Sequence, residues 1–472
     1  MRRKLIAALL AAGLATSALA ATDDAAALRA ELKRLADRIE ALEKQNKDME
    51  KALATERLSE REPEVVTRLK AVEFQTLSMQ KQARQIESLE GISVGASLTG
   101  VWQEVGAGTT LSRQRESHAN YRGDLSVTLP GGEIGDAEGS IFTHVRFGQG
   151  NGVALKPTFT STPNTTAFEV GSTPADDSFA ILAQAWYQLK IPLMDGGLKA
   201  NAREHVHVTV GKIDPFVFFD QNAAADDESA RFMNNVFVHN PLLDSGGDVG
   251  ADAYGFAPGA VLQYVNEHDK GSEWGLSLGV FGSGPGANFS SSLAHPFVIA
   301  QAEANTRLDY LPGTWRAYVW NNGRGVDWDG AVRNHSGIGF SANQKVADAL
   351  TLFGRYGHQW GGRVSFDRAL TLGGELEGSG WGRAADSLGL AFGVVRASTF
   401  LRNEATVDAD GDGAPDLGYT PSGSERQMEL YYRWKLNSHV ELTPDYQLIR
   451  RPAANGNAEQ IHVVGLRAKI GF

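Results

Sequence analysis

The chain has 472 residues, no cysteine, and a formal net charge of −11 from 45 Lys and Arg against 56 Asp and Glu. Without cysteine there are neither disulfides nor thiolate metal sites, and the acidic balance argues against nucleic acid as a partner. No run approaches the roughly 18 to 20 apolar residues of a membrane-spanning helix. The 53 Gly, 9 Trp, 11 Tyr and 21 Phe instead suit strands that are apolar on one side and polar on the other.

Residues 1–20 read as an export signal. Arg2, Arg3 and Lys4 form a positive n-region, Leu5 to Leu14 an apolar h-region, and Ala18-Leu19-Ala20 a cleavage site. The mature chain is expected to begin at Ala21, with its net charge lowered to −14 by loss of the three cations.

Residues 21–90 carry a heptad repeat. Leu32, Ile39, Asn46 and Leu53 fall at a positions, and Leu28, Leu35, Leu42 and Met49 at d. A seam this narrow predicts a periplasmic coiled coil of parallel chains, expected to be a homotrimer, with Asn46 fixing register at some cost in stability. The alternative is an amphipathic helix folded onto its own chain. Pro63 breaks the helix, and a weaker repeat follows from Val65 to Ile86.

After Gly91 the hydrophobic period changes from 3.5 to 2, which places a domain boundary there. Ile92, Val94, Ala96 and Leu98 alternate with Ser93, Gly95, Ser97 and Thr99. The same pattern returns at Leu125 and Val127, at Ala183, Ala185, Tyr187 and Leu189, at Val206, Val208 and Val210, and so on to the end of the chain. Opposite faces carry His144, Arg146, Lys190, Arg433, Arg467 and Lys469, and aromatic residues cluster at strand ends. Polar inside and lipid outside is the arrangement of a transmembrane antiparallel β-barrel, all-β and of about 16 strands over residues 91–472. The last strand alternates cleanly back from Phe472, which resembles the signal that outer-membrane barrels present to their assembly machinery.

Three separated motifs resemble a known family. Gly211-Lys212-Ile213-Asp214, the run from Phe218 to Glu228, and Arg231-Phe232-Met233-Asn234 look like the GKxD, FFDxNxxAxDE and QFxN run of carbohydrate-selective porins of the OprB type, with Arg231 where the family usually has Gln. Gly382 to Gly393 is similar to its GRxxDxLGLAFG strand entry, and Thr443 to Gln447 with Val464 to Arg467 to its closing strand pair. The resemblance implies an outer-membrane porin of a Gram-negative bacterium, bound to membrane lipid, that lets small sugars diffuse passively and catalyses no reaction. An anion porin for phosphate or dicarboxylates and a barrel that tethers envelope layers are the alternatives.

A porin's selectivity lies in its narrowest lining. The stretch after the strand ending near Val210 is the candidate constriction loop: Asp214, Asp220, Asp226, Asp227, Glu228 and Arg231 stand among Phe216, Phe218, Phe219 and Phe232. Its charges can serve hydroxyl groups, or only pin the loop to the wall. Arg363 and Arg383 at strand ends are candidates for a basic ladder opposite it. Asp408, Asp410, Asp412 and Asp416 begin a calcium-like loop that lacks the bidentate acid, Tyr419 standing at its twelfth position, so a solvated acidic turn is the expectation and weak calcium binding the minority case. His205 and His207 share a strand face, a minor metal possibility; no cofactor is expected.

Overall fold

A computed structural model describes residues 91–472 apart from 111, 154, 156–157, 160–161, 169–176, 194–201, 244–253, 284–291 and 409–416, together with Asp37, Arg38, Ala41, Glu43, Lys44 and Lys47. Those six positions are helical and exposed. The export signal, the a and d residues of the heptad repeat, and Asp410, Asp412 and Asp416 lie outside the described residues.

The period-two alternation becomes sixteen strands: β1 (Ser93–Val105), β2 (Glu116–Ile134), β3 (Ala137–Gln149), β4 (Phe179–Leu193), β5 (Glu204–Ile213), β6 (Ala257–Asn266), β7 (Trp274–Phe281), β8 (Phe297–Leu308), β9 (Leu311–Val326), β10 (Val332–Ala347), β11 (Leu350–Gln359), β12 (Phe366–Glu377), β13 (Ser387–Ala397), β14 (Ser424–Lys435), β15 (Val440–Arg450) and β16 (Ile461–Gly471). Each pairs antiparallel with its neighbours in sequence, and β1 pairs with β16, so the sheet closes on itself. Closure leaves no unpaired edge, which hydrocarbon would not tolerate. At the seam the Phe472 amide donates to the Ala96 carbonyl at 2.9 Å, and its ring stacks on His439 at 5.4 Å.

The two faces separate as the alternation requires. On β16, Leu466 is 44 % exposed while its neighbour Arg467 is 1 % exposed. Apolar side chains thus point out to lipid and charged ones into the lumen, the reverse of a water-soluble protein. The expected phase breaks on β4. The β3–β4 register shifts between His144 and Val145, so Leu182 faces outward and Ala183 is buried, before Ala185 and Tyr187 resume the pattern. A bulge inserts one residue and swaps the faces beyond it, which composition alone does not reveal.

Two-residue turns at 135–136, 309–310 and 348–349 mark one end of the barrel and long loops the other; short turns belong to the periplasmic side. The loop after β5 is here the third loop; its residues 214–243 fold back into the lumen and pack along β7 to β14. Phe219 meets Phe281 at 6.0 Å, while Phe232 meets Phe353 at 5.5 Å and Tyr431 at 5.0 Å. Burying each such ring contributes about 1.5–3 kcal/mol, so the apolar core of this barrel lies between loop and wall.

That close approach depends on glycine. Tyr318 and Trp320 of β9 lie flat over Gly339 and Gly337 of β10, their cross-strand partners, and a Cβ at either glycine would come within 2.1 or 2.2 Å of the ring. We expect Gly339→Val to lift Tyr318 into the loop and to cost about 1–3 kcal/mol by overpacking. Heat-induced loss of the folded band in detergent gels should then occur at a lower temperature; an unaltered melting profile would count against this packing role.

Candidate functional site

The third loop is fixed by charged and amide contacts spaced around the wall. Asp220, in the left-handed region at φ 55°, is fully buried. Its carboxylate accepts from the Tyr318 hydroxyl at 2.7 Å and the Asn240 amide at 2.6 Å, and lies 3.3 Å from Arg355 Nε. Arg355 in turn donates to the Phe237 and Asp220 carbonyls at 2.6 and 3.2 Å. Farther round, Glu429 on β14 accepts the amides of Met233 and Asn234 at 2.5 and 2.9 Å. Arg467 on β16 donates to the carbonyls of Glu228 and Arg231 at 2.9 and 2.6 Å, and Lys469 reaches Ser229 Oγ at 2.6 Å. Buried charges are tolerated when paired and hydrogen-bonded, and here each pairing holds a loop backbone against a strand.

The opposite side of the loop stays open. A cavity of about 390 Å³ is bounded there by Asp214, Phe216, Asp226, Glu228 and His239 of the loop and by Arg146 of β3, with Tyr254 and Phe256 closing it. Arg122 Nη1 stands 2.7 Å from Glu228 Oε1, and Arg122 and Arg146 both reach Asp124 at 2.9 Å. Burial alone would raise the carboxyl groups of Asp227 and Glu228; Lys469 beside the first, and Arg122 and Arg146 beside the second, outweigh it and hold both below the ordinary range. For Asp214, burial prevails over His239, the Phe216 amide and Arg146, and the carboxyl group is raised. Toward the periplasm lies a vestibule of about 710 Å³ lined by Asp124, Phe142, His144, Gln184, Glu441 and Lys469.

The structure sorts the loop residues singled out from sequence into two groups. Asp214, Asp226 and Glu228 border the open cavity. Asp220, Phe219, Asp227 and Arg231 make wall contacts: Asp220 as above, Phe219 in the apolar layer, Asp227 at 3.8 Å from Lys469, and Arg231 at 3.7 Å from Glu375. Arg363 and Arg383 do not form a ladder. They sit at opposite ends of β12, whose twelve residues span roughly 40 Å. The Arg363 guanidinium lies over Phe400 at 4.6 Å, and Arg383 pairs with Asp386 and the Lys435 carbonyl in a periplasmic turn.

Cations that do face the acidic loop include Arg122, Arg146, Arg316, Arg355, Arg467 and Lys469. Their inward strand positions were the available signal. Sequence reasoning also missed the second loop, residues 150–178. The Pro163 carbonyl accepts from Gln103 at 2.9 Å and from Gln447 at 2.7 Å, which holds the stretch around Pro163 in the lumen. Among the described residues no group of three His, Cys, Asp or Glu side chains is arranged to hold a metal, and His205 instead faces Glu267 at 3.4 Å.

The architecture is similar to known channels. The chain is similar to the high-pH structure of Pseudomonas putida OprB, with 16% identity over 83% of this chain and 96% of that one and a TM-score of 0.64. It is also similar to the outer membrane channel DcaP of Acinetobacter baumannii, with 11% identity over 81% and 97% and a TM-score of 0.46. At these identities the likeness is one of fold. No curated protein matches the chain. Residues 66–472 match the carbohydrate-selective porin, OprB family, and the chain therefore belongs to that family and is an outer-membrane carbohydrate porin.

Proposed function

We propose that sugars cross this porin through the gap between the third loop and the β2–β3 wall. The observation that carries this reading is the cavity itself: Asp214, Asp226, Glu228 and Arg146 share it with Phe216 and Tyr254. Carboxylate and guanidinium groups replace water on hydroxyls, and ring faces cover the apolar side of a sugar, so a solute gives up little free energy on entry. A phosphate or dicarboxylate channel needs cations in excess at this point. The cavity instead has three carboxylates against Arg146 and His239, which favours neutral solutes.

The test is flux. In proteoliposomes, glucose and disaccharides should enter faster than phosphate or succinate of comparable size, and Glu228→Ala with Asp226→Ala should narrow that preference. Anion flux exceeding sugar flux would replace this reading with the anion channel.

The heptad repeat of residues 21–90 supports a parallel homotrimer, and light scattering of the detergent-solubilised chain with and without residues 22–90 tests it: a trimer that persists after the deletion removes the coiled coil as its cause. If that segment also ties the barrel to other envelope layers, the deletion should leave conductance intact while the envelope detaches. Weak calcium binding at Asp408 to Asp416 would show as calcium-dependent protease protection of that loop.

A further inference from the structure

Four arginines at the outer ends of β12 to β15 depart from the rule that charged side chains enter the lumen. Ala369, Val395, Gln427 and Ile449 are buried and face inward. The alternation therefore turns their neighbours Arg368, Arg396, Arg426 and Arg450 outward. Each stands within three residues of the outer end of its strand.

The register sets them side by side. Arg368 is the cross-strand partner of Arg396, and Arg426 of Arg450. Arg426 lies opposite Val394, one outward step from Arg396, so the row crosses four strands and roughly 14 Å of the wall. Like charges directly opposite one another destabilise a sheet, and little in the chain offsets them. Arg368 Nε lies 4.0 Å from an Asp367 carboxylate oxygen, and Arg450 Nε donates to Gln460 at 3.2 Å. The exposed guanidinium groups of Arg396 and Arg426 have no hydrogen-bond or ion-pair partner among the described residues.

Beneath the arginines the same face is apolar: Leu370 and Leu372 on β12, Phe392 and Val394 on β13, Met428 and Leu430 on β14. Trp434, eight residues beyond Arg426, is exposed at the periplasmic boundary of that apolar band, which places the arginines at its outer boundary, where lipid headgroups lie. Near the outer ends of β6, β7 and β8 the outward residues are Ala260, Val280 and Val298. The basic row thus belongs to one wall and is not a general feature of the rim. Guanidinium groups bind phosphate through paired N–H donors, and a row of four has room for more than one phosphate.

We propose that Arg368, Arg396, Arg426 and Arg450 form a docking site on the outside of the barrel for an outer-leaflet lipid that bears two phosphate groups. The phosphates neutralise the opposed guanidinium groups, and the acyl chains run down the apolar strip between Leu370 and Leu430. The site lies across the wall from the lumen and is independent of the solute the channel carries.

Native mass spectrometry of the full chain in detergent tests it. Bisphosphorylated lipid A is the probe; its dephosphorylated form, phosphatidylethanolamine and pyrophosphate are the comparisons. Lipid A should bind tightest, and pyrophosphate at equal concentration should not displace it. Arg396→Gln combined with Arg426→Gln should weaken lipid A binding on the order of thirtyfold, while Arg307→Gln, at the periplasmic end of β8, should leave it unchanged. Arg396→Lys with Arg426→Lys, which keeps the charges but loses the paired donors, should fall between. Thermal unfolding separates a lipid site from a structural role. Without lipid the glutamine variant should melt no lower than the wild type, because repulsion is removed; with lipid A the wild type should gain more stability than the variant. If the double variant does not assemble, Arg426→Gln carries the same expectations in smaller measure. Equal binding of the dephosphorylated lipid, displacement by pyrophosphate, affinity indifferent to the arginines, or a variant that melts lower without lipid would overturn the site.

Discussion

Asp220→Ala is expected to free the third loop from the β9–β11 wall and widen the channel. The carboxylate is the shared acceptor of Tyr318 and the Asn240 amide and the counter-charge of Arg355, and both Asp220 and Arg355 are buried. Removing one partner of a buried pair strands the other, a loss of about 3–5 kcal/mol. The loop also holds Asp220 at a positive φ, a conformation kept only while its surroundings enforce it. Glu429 and Arg467 still grip Glu228 to Asn234, so the variant should fold, with only the stretches next to Asp220 and Asn240 detached. Single-channel conductance should rise and become noisy, and protease should cut within those stretches. Tyr318→Phe, which removes one hydrogen bond worth about 1 kcal/mol, should show little of either. Conductance and protease resistance equal to wild type would mean that apolar packing alone holds the loop.

Arg122→Gln should make ion selectivity depend on pH where the wild type is flat. Glu228 is buried, which by itself raises its carboxyl group; Arg122 is the largest influence lowering it, followed by Arg146, and the balance leaves it depressed. A depressed carboxyl group keeps its charge, and its contribution to stability, above its unfolded value and loses them only as pH falls through the lower folded value. The wild-type pair therefore stays charged through mildly acid conditions. Without Arg122, burial prevails, the value rises above the ordinary carboxylate range, and Glu228 discharges nearer neutrality. At high pH an unpaired carboxylate faces the cavity and favours cations; as pH falls that preference disappears. One unit charge at ~10 Å with an effective dielectric of ~20 contributes roughly 1.7 kcal/mol, so the cation-to-anion permeability ratio should change on the order of tenfold across the transition. Reversal potentials in a salt gradient measure it, and adding Glu228→Gln should abolish the transition. A pH-independent ratio in Arg122→Gln would show that Arg146 alone suffices to hold the charge.

Much of the fold was written in the chain itself. Alternation with period two marks every strand whose faces meet lipid and water, because side chains of a strand point to opposite sides in turn, and the inward charges on β3, β14 and β16 could be assigned from that rule alone. The run from Asp214 to Asn235 stood out as a loop because it combines acids and rings without either period. Pairing was another matter. Arg355 carries no motif, yet it is the counter-charge of Asp220, 135 residues away in sequence; Glu429 is an unremarked acid until two loop amides are brought to it. Arg363 and Arg383 read as plausible partners of the loop because strand ends look alike in sequence, whereas β12 holds them at opposite ends of the barrel.

Except beyond the β4 bulge, where Leu182 and Ala183 exchange faces, the sequence by itself determined which residues face lipid and which face the lumen, since that follows from local periodicity and the solvent on each side. Only the tertiary structure decided which lumen residues are sealed under the third loop and which border the path, because an inward-folded loop chooses one wall to pack against. That choice depends on the summed fit of Phe219, Phe232 and Phe237 against β7 to β14 and of Asp220 with Arg355, contacts between segments far apart in the chain that no local pattern encodes.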